Sequence, residues 1–109
     1  MAFDEHLAQR IRELLPDADE RKMFGGIGFL IAGNMCCGVR GDELLARLGP
    51  DAADAVADEP GTRPFEMGGR TSQGWVMVAA DAVAEDADLE RWVRRCEAFA
   101  ASLPPKQSG

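Results

Sequence analysis

Between Lys22 and Arg40 the chain alternates with a period of two. Met23, Ile27, Phe29 and Ile31 share one parity, while Phe24, Leu30 and Ala32 share the other. Successive side chains of a strand point to opposite faces, so β-branched and aromatic residues at this period predict a strand. Gly33-Asn34 then reads as a two-residue hairpin turn, because both residue types tolerate positive φ. Met35 to Arg40 becomes the return strand. This turn would set Ala32 opposite Met35, Ile31 opposite Cys36 and Leu30 opposite Cys37, so Cys36 and Cys37 should differ in exposure. Gly25, Gly26 and Gly28 interrupt the first strand, where they permit a bulge or a close backbone approach.

Other elements follow from their own periods. Phe3, Leu7, Ile11, Leu14 and Leu15 recur at steps that predict a helix from about Asp4 to Leu15, capped by Asp4 and stopped by Pro16. Pro16 to Arg21 reads as a polar connection. After a turn at Gly41-Asp42, Glu43 to Leu48 reads as a third strand. Gly49-Pro50 opens a short Ala-rich helix that ends before Pro60. Arg63 to Met67 and Trp75 to Ala79 read as strands around a loop from Gly68 to Gly74. Leu89, Trp92, Val93, Cys96, Phe99, Ala100 and Leu103 mark the last helix, with Asp86 or Asp88 as its cap, a Glu90–Arg94 pair on its surface and Pro104-Pro105 as its end. The order α-β-β-β-α-β-β-α predicts an α+β fold: a two-layer α/β domain whose mostly antiparallel five-stranded sheet carries helices packed on one face. The domain is expected to span residues 1–103, with 104–109 as a flexible tail.

A length of 109 residues suits one domain, and 46% hydrophobic residues suffice for a core. The formal net charge of -7 argues against direct nucleic-acid binding, since phosphates would be repelled. No run reaches the roughly 18–20 apolar residues of a membrane span. The opening MAFDEHLAQR lacks the basic and apolar regions of a signal peptide, so the chain is expected to be cytoplasmic. The odd set Cys36, Cys37 and Cys96 has no disulfide-framework spacing and fits reduced thiols.

Few residues offer chemistry beyond packing. Adjacent strand cysteines point to opposite faces, so one zinc ion would not easily take both Cys36 and Cys37, and packing is the preferred role. His6 lies off the apolar stripe of its helix and reads as solvated. Gly26-Ile27-Gly28 starts like a dinucleotide fingerprint, but Ile31 occupies the third glycine position and no helix follows. The acid pairs lie at helix starts and connections, where they cap or solvate. Arg40, Arg63 and Arg70 sit at strand ends or loops, as an anion site or as scattered surface charge, with the second reading preferred. Trp75 and Trp92 read as core anchors or interface residues.

Arg21-Lys22-Met23-Phe24-Gly25-Gly26, leading into a glycine-containing strand and a Gly-Asn hairpin, resembles the TfoX/Sxy N-terminal domain family. Trp75-Val76-Met77-Val78, then Ala82 to Asp86 before a helix with Leu89 and Trp92, agree with that resemblance. It extends from Asp4 to about Leu103. It implies an α/β two-layer domain with an antiparallel sheet, and brings no catalytic residue or cofactor with it. Longer members regulate natural competence with the transcription machinery and carry a second, helical domain. This chain ends after the last predicted helix, so a stand-alone N-terminal domain is expected.

The functional expectation is a small cytoplasmic, regulatory protein-interaction module without catalytic activity, cofactor or metal. Its partner is expected to be a protein, such as a component of the transcription machinery, with a homodimer as one form. No membrane partner is expected. Candidate surface residues are Met23, Phe24, Gly25, Gly26, Cys36, Arg40 and Arg70. The alternative is a small-molecule, metal or thiol-dependent binding protein or enzyme that uses the Gly25–Gly28 strand with Cys36 or Cys37.

Overall fold

The computed structural model describes residues 3–23, 25–67 and 69–105. Helix α1 (Glu5–Leu14) starts where the Asp4 carboxylate accepts from the His6 and Leu7 N–H groups at 2.8 and 3.2 Å. Strands β1 (Asp19–Met23), β2 (Gly26–Ile31), β3 (Asn34–Arg40) and β4 (Glu43–Arg47) follow as an antiparallel meander. Helix α2 (Pro50–Ala55) leads to β5 (Thr62–Met67) and β6 (Arg70–Val78), and a 3-10 turn (Ala80–Val83) leads to α3 (Asp86–Ala101). The sheet has six strands in the order β1-β2-β3-β4-β6-β5.

The fold is therefore the predicted antiparallel α+β arrangement with one more strand than the expected five. The extra strand is β1: its Asp19 to Arg21 lie where a polar connection was expected, and its Lys22 and Met23 were expected in the next strand, which begins instead at Gly26 after a turn at Gly25. Asp19, Glu20, Arg21 and Lys22 carry no apolar period because an edge strand there is exposed. Backbone pairing with β2 holds it, and the Arg12 guanidinium grips the Glu20 carboxylate at 2.5 and 2.7 Å. Strand β6 likewise reaches back to Arg70, into the segment expected to be a loop.

The β2–β3 turn also lies one residue earlier than predicted. Ile31 pairs with Asn34, leaving Ala32 and Gly33 as the turn residues, with φ of 51° and 81°. Two positive φ values are the demand of a type I′ turn. Asn34 is thereby released from the turn. Its side chain, 8% exposed, donates to the Pro104 carbonyl at 2.9 Å and ties the end of α3 to the hairpin. Leu30 pairs with Met35 and Phe29 with Cys37, so Cys36 is one extra residue in β3. This bulge turns both Cys36 and Cys37 into the core, each 0% exposed, against the expectation that they would differ.

All three helices cover one face of the sheet. Their core joins Leu7, Ala8 and Ile11 of α1 to Leu89, Trp92, Val93, Cys96 and Ala100 of α3, over Phe29, Val39, Leu44, Ala46, Val76 and Val78 of the strands. Asp86 opens α3, and the cap position is Glu85, which makes no side-chain capping bond. The Asp86 carboxylate instead accepts from Arg10 of α1 at 3.0 Å, while that guanidinium also donates to the Val83 and Ala84 carbonyls.

Close strand approach explains two of the glycines. A Cβ on Gly26 would run into the Val39 carbonyl oxygen, and one on Gly38 would meet the Ile27 carbonyl oxygen at 2.5 Å. Both obstacles are backbone and cannot rotate away. Gly26→Ala is expected to destabilise the fold by roughly 3 kcal/mol. Ala32→Gly relieves a positive φ and is expected to stabilise by about 1 kcal/mol. Urea unfolding of the two variants should move the midpoint in opposite directions.

Candidate functional site

The face of the sheet without helices carries its own small apolar cluster. Leu45, Phe65 and Met77 are buried there, with Met35 and Trp75 packed against them and partly exposed. Their placement follows from parity: Leu44, Ala46, Val76 and Val78 face the helices, so Leu45 and Met77 face away. The Phe65 and Trp75 ring centroids are 6.1 Å apart at 43°.

Beside this cluster lies a concavity of about 840 Å3. Phe65 and Met77 line it, with Arg40, Glu43, Arg63 and Glu66 among the surrounding residues and Gly25 and Gly41 also at its border. Glu43 stands directly opposite Arg40 in the β3–β4 ladder, yet its carboxylate accepts from Arg63 instead. Arg40 rests over the Phe65 ring, 5.7 Å from its centroid, and forms no ion pair among the described residues. An exposed cation held against an aromatic face suits contact with a carboxylate or a carbonyl-rich surface. At the other end of the face, Arg47 sits 5.3 Å from the Trp75 ring and 5.4 Å from that of Phe99.

The structure divides the residues singled out in the sequence. Gly25 and Arg40 meet at the concavity, and Gly26 packs against the Val39–Arg40 backbone. Met23 and Arg70 pair through their backbones with Gly26 and Met67. Phe24 lies outside the described residues. Cys36 is corrected outright: it is buried on the helix side and belongs to no surface. The alternative site also separates, because Gly25 borders the open face while Cys36 and Cys37 face the core. Of the three arginines, Arg40 and Arg63 share the concavity, but Arg63 is paired with Glu43.

Phe65, Met77 and Glu66 were missed as site residues. The available signal was apolar residues of both parities in Leu44-Leu45 and Val76-Met77-Val78, which marks strands packed on both faces. His6 is exposed, Trp92 is buried at 1% and Trp75 stands at the boundary of the open face.

All three cysteines are free and buried. A hydrogen bond with Cys36, then burial, holds the Cys37 thiol well above its ordinary range, and burial followed by the neighbouring Cys36 pushes Cys96 up. No group of three Cys, His, Asp or Glu residues among the described ones is placed to hold a metal ion. No helix of the described residues is long and apolar enough to cross a membrane.

The geometry defines a class: a small α+β domain with helices on one face of an antiparallel sheet and a partly apolar concavity on the other. A family model, the TfoX N-terminal domain, matches residues 10–100, and the chain belongs to that family. No curated protein and no solved structure matches significantly.

The buried thiols generate a pH and labelling test. Folded-state values above the unfolded one mean that the protonated thiols add stability fully present below about pH 8.5 and lost as pH rises toward those values. The melting temperature is expected to fall above about pH 8.5, and less steeply in Cys37→Ala. Ellman's reagent should label the native protein slowly and find all three thiols once it is unfolded.

Proposed function

We propose that this chain is a regulatory protein-interaction module, working within the transcription-linked control of competence that the family is associated with. Its contact surface is the helix-free face of the sheet. The observation that carries this reading is Arg40, poised on the Phe65 ring beside an open concavity and without an acidic partner among the described residues. Aromatic residues and arginines together are the residue types that dominate protein contacts. The role needs no catalysis and no cofactor, and it fits a protein that works in the cytoplasm beside the transcription machinery.

A second reading has one observation in its favour. A volume of about 840 Å3 lies within the roughly 300–1,000 Å3 range of small-molecule clefts. A ligand there would meet Phe65 and Met77 below and Arg40 at the side.

Pull-downs with the wild-type chain and Arg40→Glu, at physiological salt, separate the readings. A polymerase subunit or transcription factor recovered in stoichiometric amount by the wild type, and at least about tenfold less by the variant, is the expected outcome. Equal recovery by both would move the contact away from this face. Recovery of nothing by either, together with a ligand-dependent rise in melting temperature that Arg40→Glu abolishes, favours the cleft.

A further inference from the structure

We infer that the outer edge of β1 pairs antiparallel with the β1 edge of a second copy of this chain, joining two sheets into one. This surface is separate from the Arg40 face and adds a second contact to the molecule.

Strands β1 and β5 are the two outermost of the sheet. An edge strand leaves backbone N–H and C=O groups along its outer side open to a further strand. Strand β5 contains Pro64, which has no N–H to offer a new neighbour. Strand β1 has no proline, and its Asp19, Glu20, Arg21 and Lys22 are all exposed. Charged side chains on an edge resist pairing with an arbitrary strand, which leaves them unmatched. Here the sign reverses along the strand, from two acids to two bases, so the strand that matches it is a reversed copy of itself.

Parity fixes that match. Glu20 pairs with Phe29 and Lys22 with Ile27, both residues of the core beneath the helices, so Glu20 and Lys22 share the helix side of the sheet. Asp19 and Arg21 share the helix-free side. Directly opposed residues of an antiparallel pair lie on one face, and a two-fold axis normal to the sheet keeps every residue on its own face. The axis therefore passes through a residue rather than between two. With Glu20 on the axis, Asp19 of each copy stands opposite Arg21 of the other, and both pairs unite opposite charges. The two Glu20 carboxylates meeting at the axis are each already held by an Arg12 guanidinium, at 2.5 and 2.7 Å. With Arg21 on the axis, two guanidiniums would face each other uncompensated, because Glu20 alone among the charged residues of β1 takes part in an ion pair among the described residues.

An axis normal to the sheet also sets the helices of both copies on one side and both Arg40 concavities on the other. A partner with two binding segments would then meet two sites at high effective concentration. The net charge of -7 on each copy opposes the approach, and a five-residue edge is a small contact. The dimer accordingly belongs with the weak, concentration-dependent interfaces.

Sedimentation velocity over a concentration series tests the pairing. The wild-type mass should rise with concentration toward twice 11.8 kDa. Arg21→Glu and Asp19→Lys each set like charges against one another at both pairs, and should weaken association at least about tenfold without changing the far-ultraviolet circular dichroism. The two variants mixed one to one should regain the wild-type association, as should the double variant, because every lysine then meets a glutamate. Arg40→Glu should associate as the wild type does. A wild-type chain that is monomeric up to its solubility limit overturns the dimer, as does a dimer indifferent to the single variants or a double variant that stays monomeric. A monomeric wild type that still captures a transcription partner through Arg40 sinks the edge pairing and leaves the functional reading standing, and an edge-paired dimer that captures none does the reverse.

Discussion

One extra residue in β3 sets the character of the whole sheet. Before the bulge Met35 faces away from the helices, and after it Gly38 and Arg40 do. Without Cys36 as a surplus position, strict alternation would send Arg40 into the helix-packed core and Val39 out to solvent. The bulge thus buries two consecutive cysteines against α3 and delivers an arginine to the opposite face. Its cost is a disrupted stretch of ladder, offset by Cys36 and Cys37 packing with Cys96 in the core.

The strand contacts around the bulge are unusually close. Gly26 and Gly38 let β2 and β3 approach where any Cβ would strike a carbonyl oxygen. A second irregularity sets Phe65 of β5 against four residues, 72–75, of β6, while the pairing of Arg63 with Met77 keeps Phe65, two residues on, on the side of Leu45 and Met77. Bulges of this kind increase local twist, and Pro64, Phe65 and Glu66 at the second irregularity line the hollow.

Electrostatics on this chain is largely a matter of allocation. Arg10, Arg12, Arg63, Arg91, Arg94 and Arg95 each have an acidic partner. Exposed pairs of this kind contribute little stability individually, and several of them join elements distant in sequence. Arg10 links α1 to the start of α3, and Arg12 links α1 to β1. Arg40 and Arg47 have no acidic partner among the described residues, and both lie over aromatic rings, as Arg95 does over Trp92. Arg47 donates to the Met35 carbonyl, so Arg40 is the exposed guanidinium on an aromatic face whose in-plane donors suit outside contacts.

Elements with a strong period were legible from the residues alone: α1 with its Asp4 cap, the β2–β3 hairpin, α3 with its apolar stripe, and the antiparallel α+β class. Strand β1 has no period to read, since an exposed edge strand buries neither face, and Asp19 to Lys22 look the same in a loop. Local pattern places the hairpin turn one residue late, because Gly33-Asn34 is the better local turn pair and the Asn34–Pro104 bond is made with a residue 70 positions away. Gly25 and Arg40 were legible as candidates, while Phe65, Met77 and Glu66 were not, because the hollow joins β3 to β5 across two intervening strands. Which way Cys36, Cys37 and Arg40 point was settled in three dimensions alone. Side-chain direction in a strand depends on counting residues from a pairing partner, and a single bulge, invisible to local pattern, resets the count.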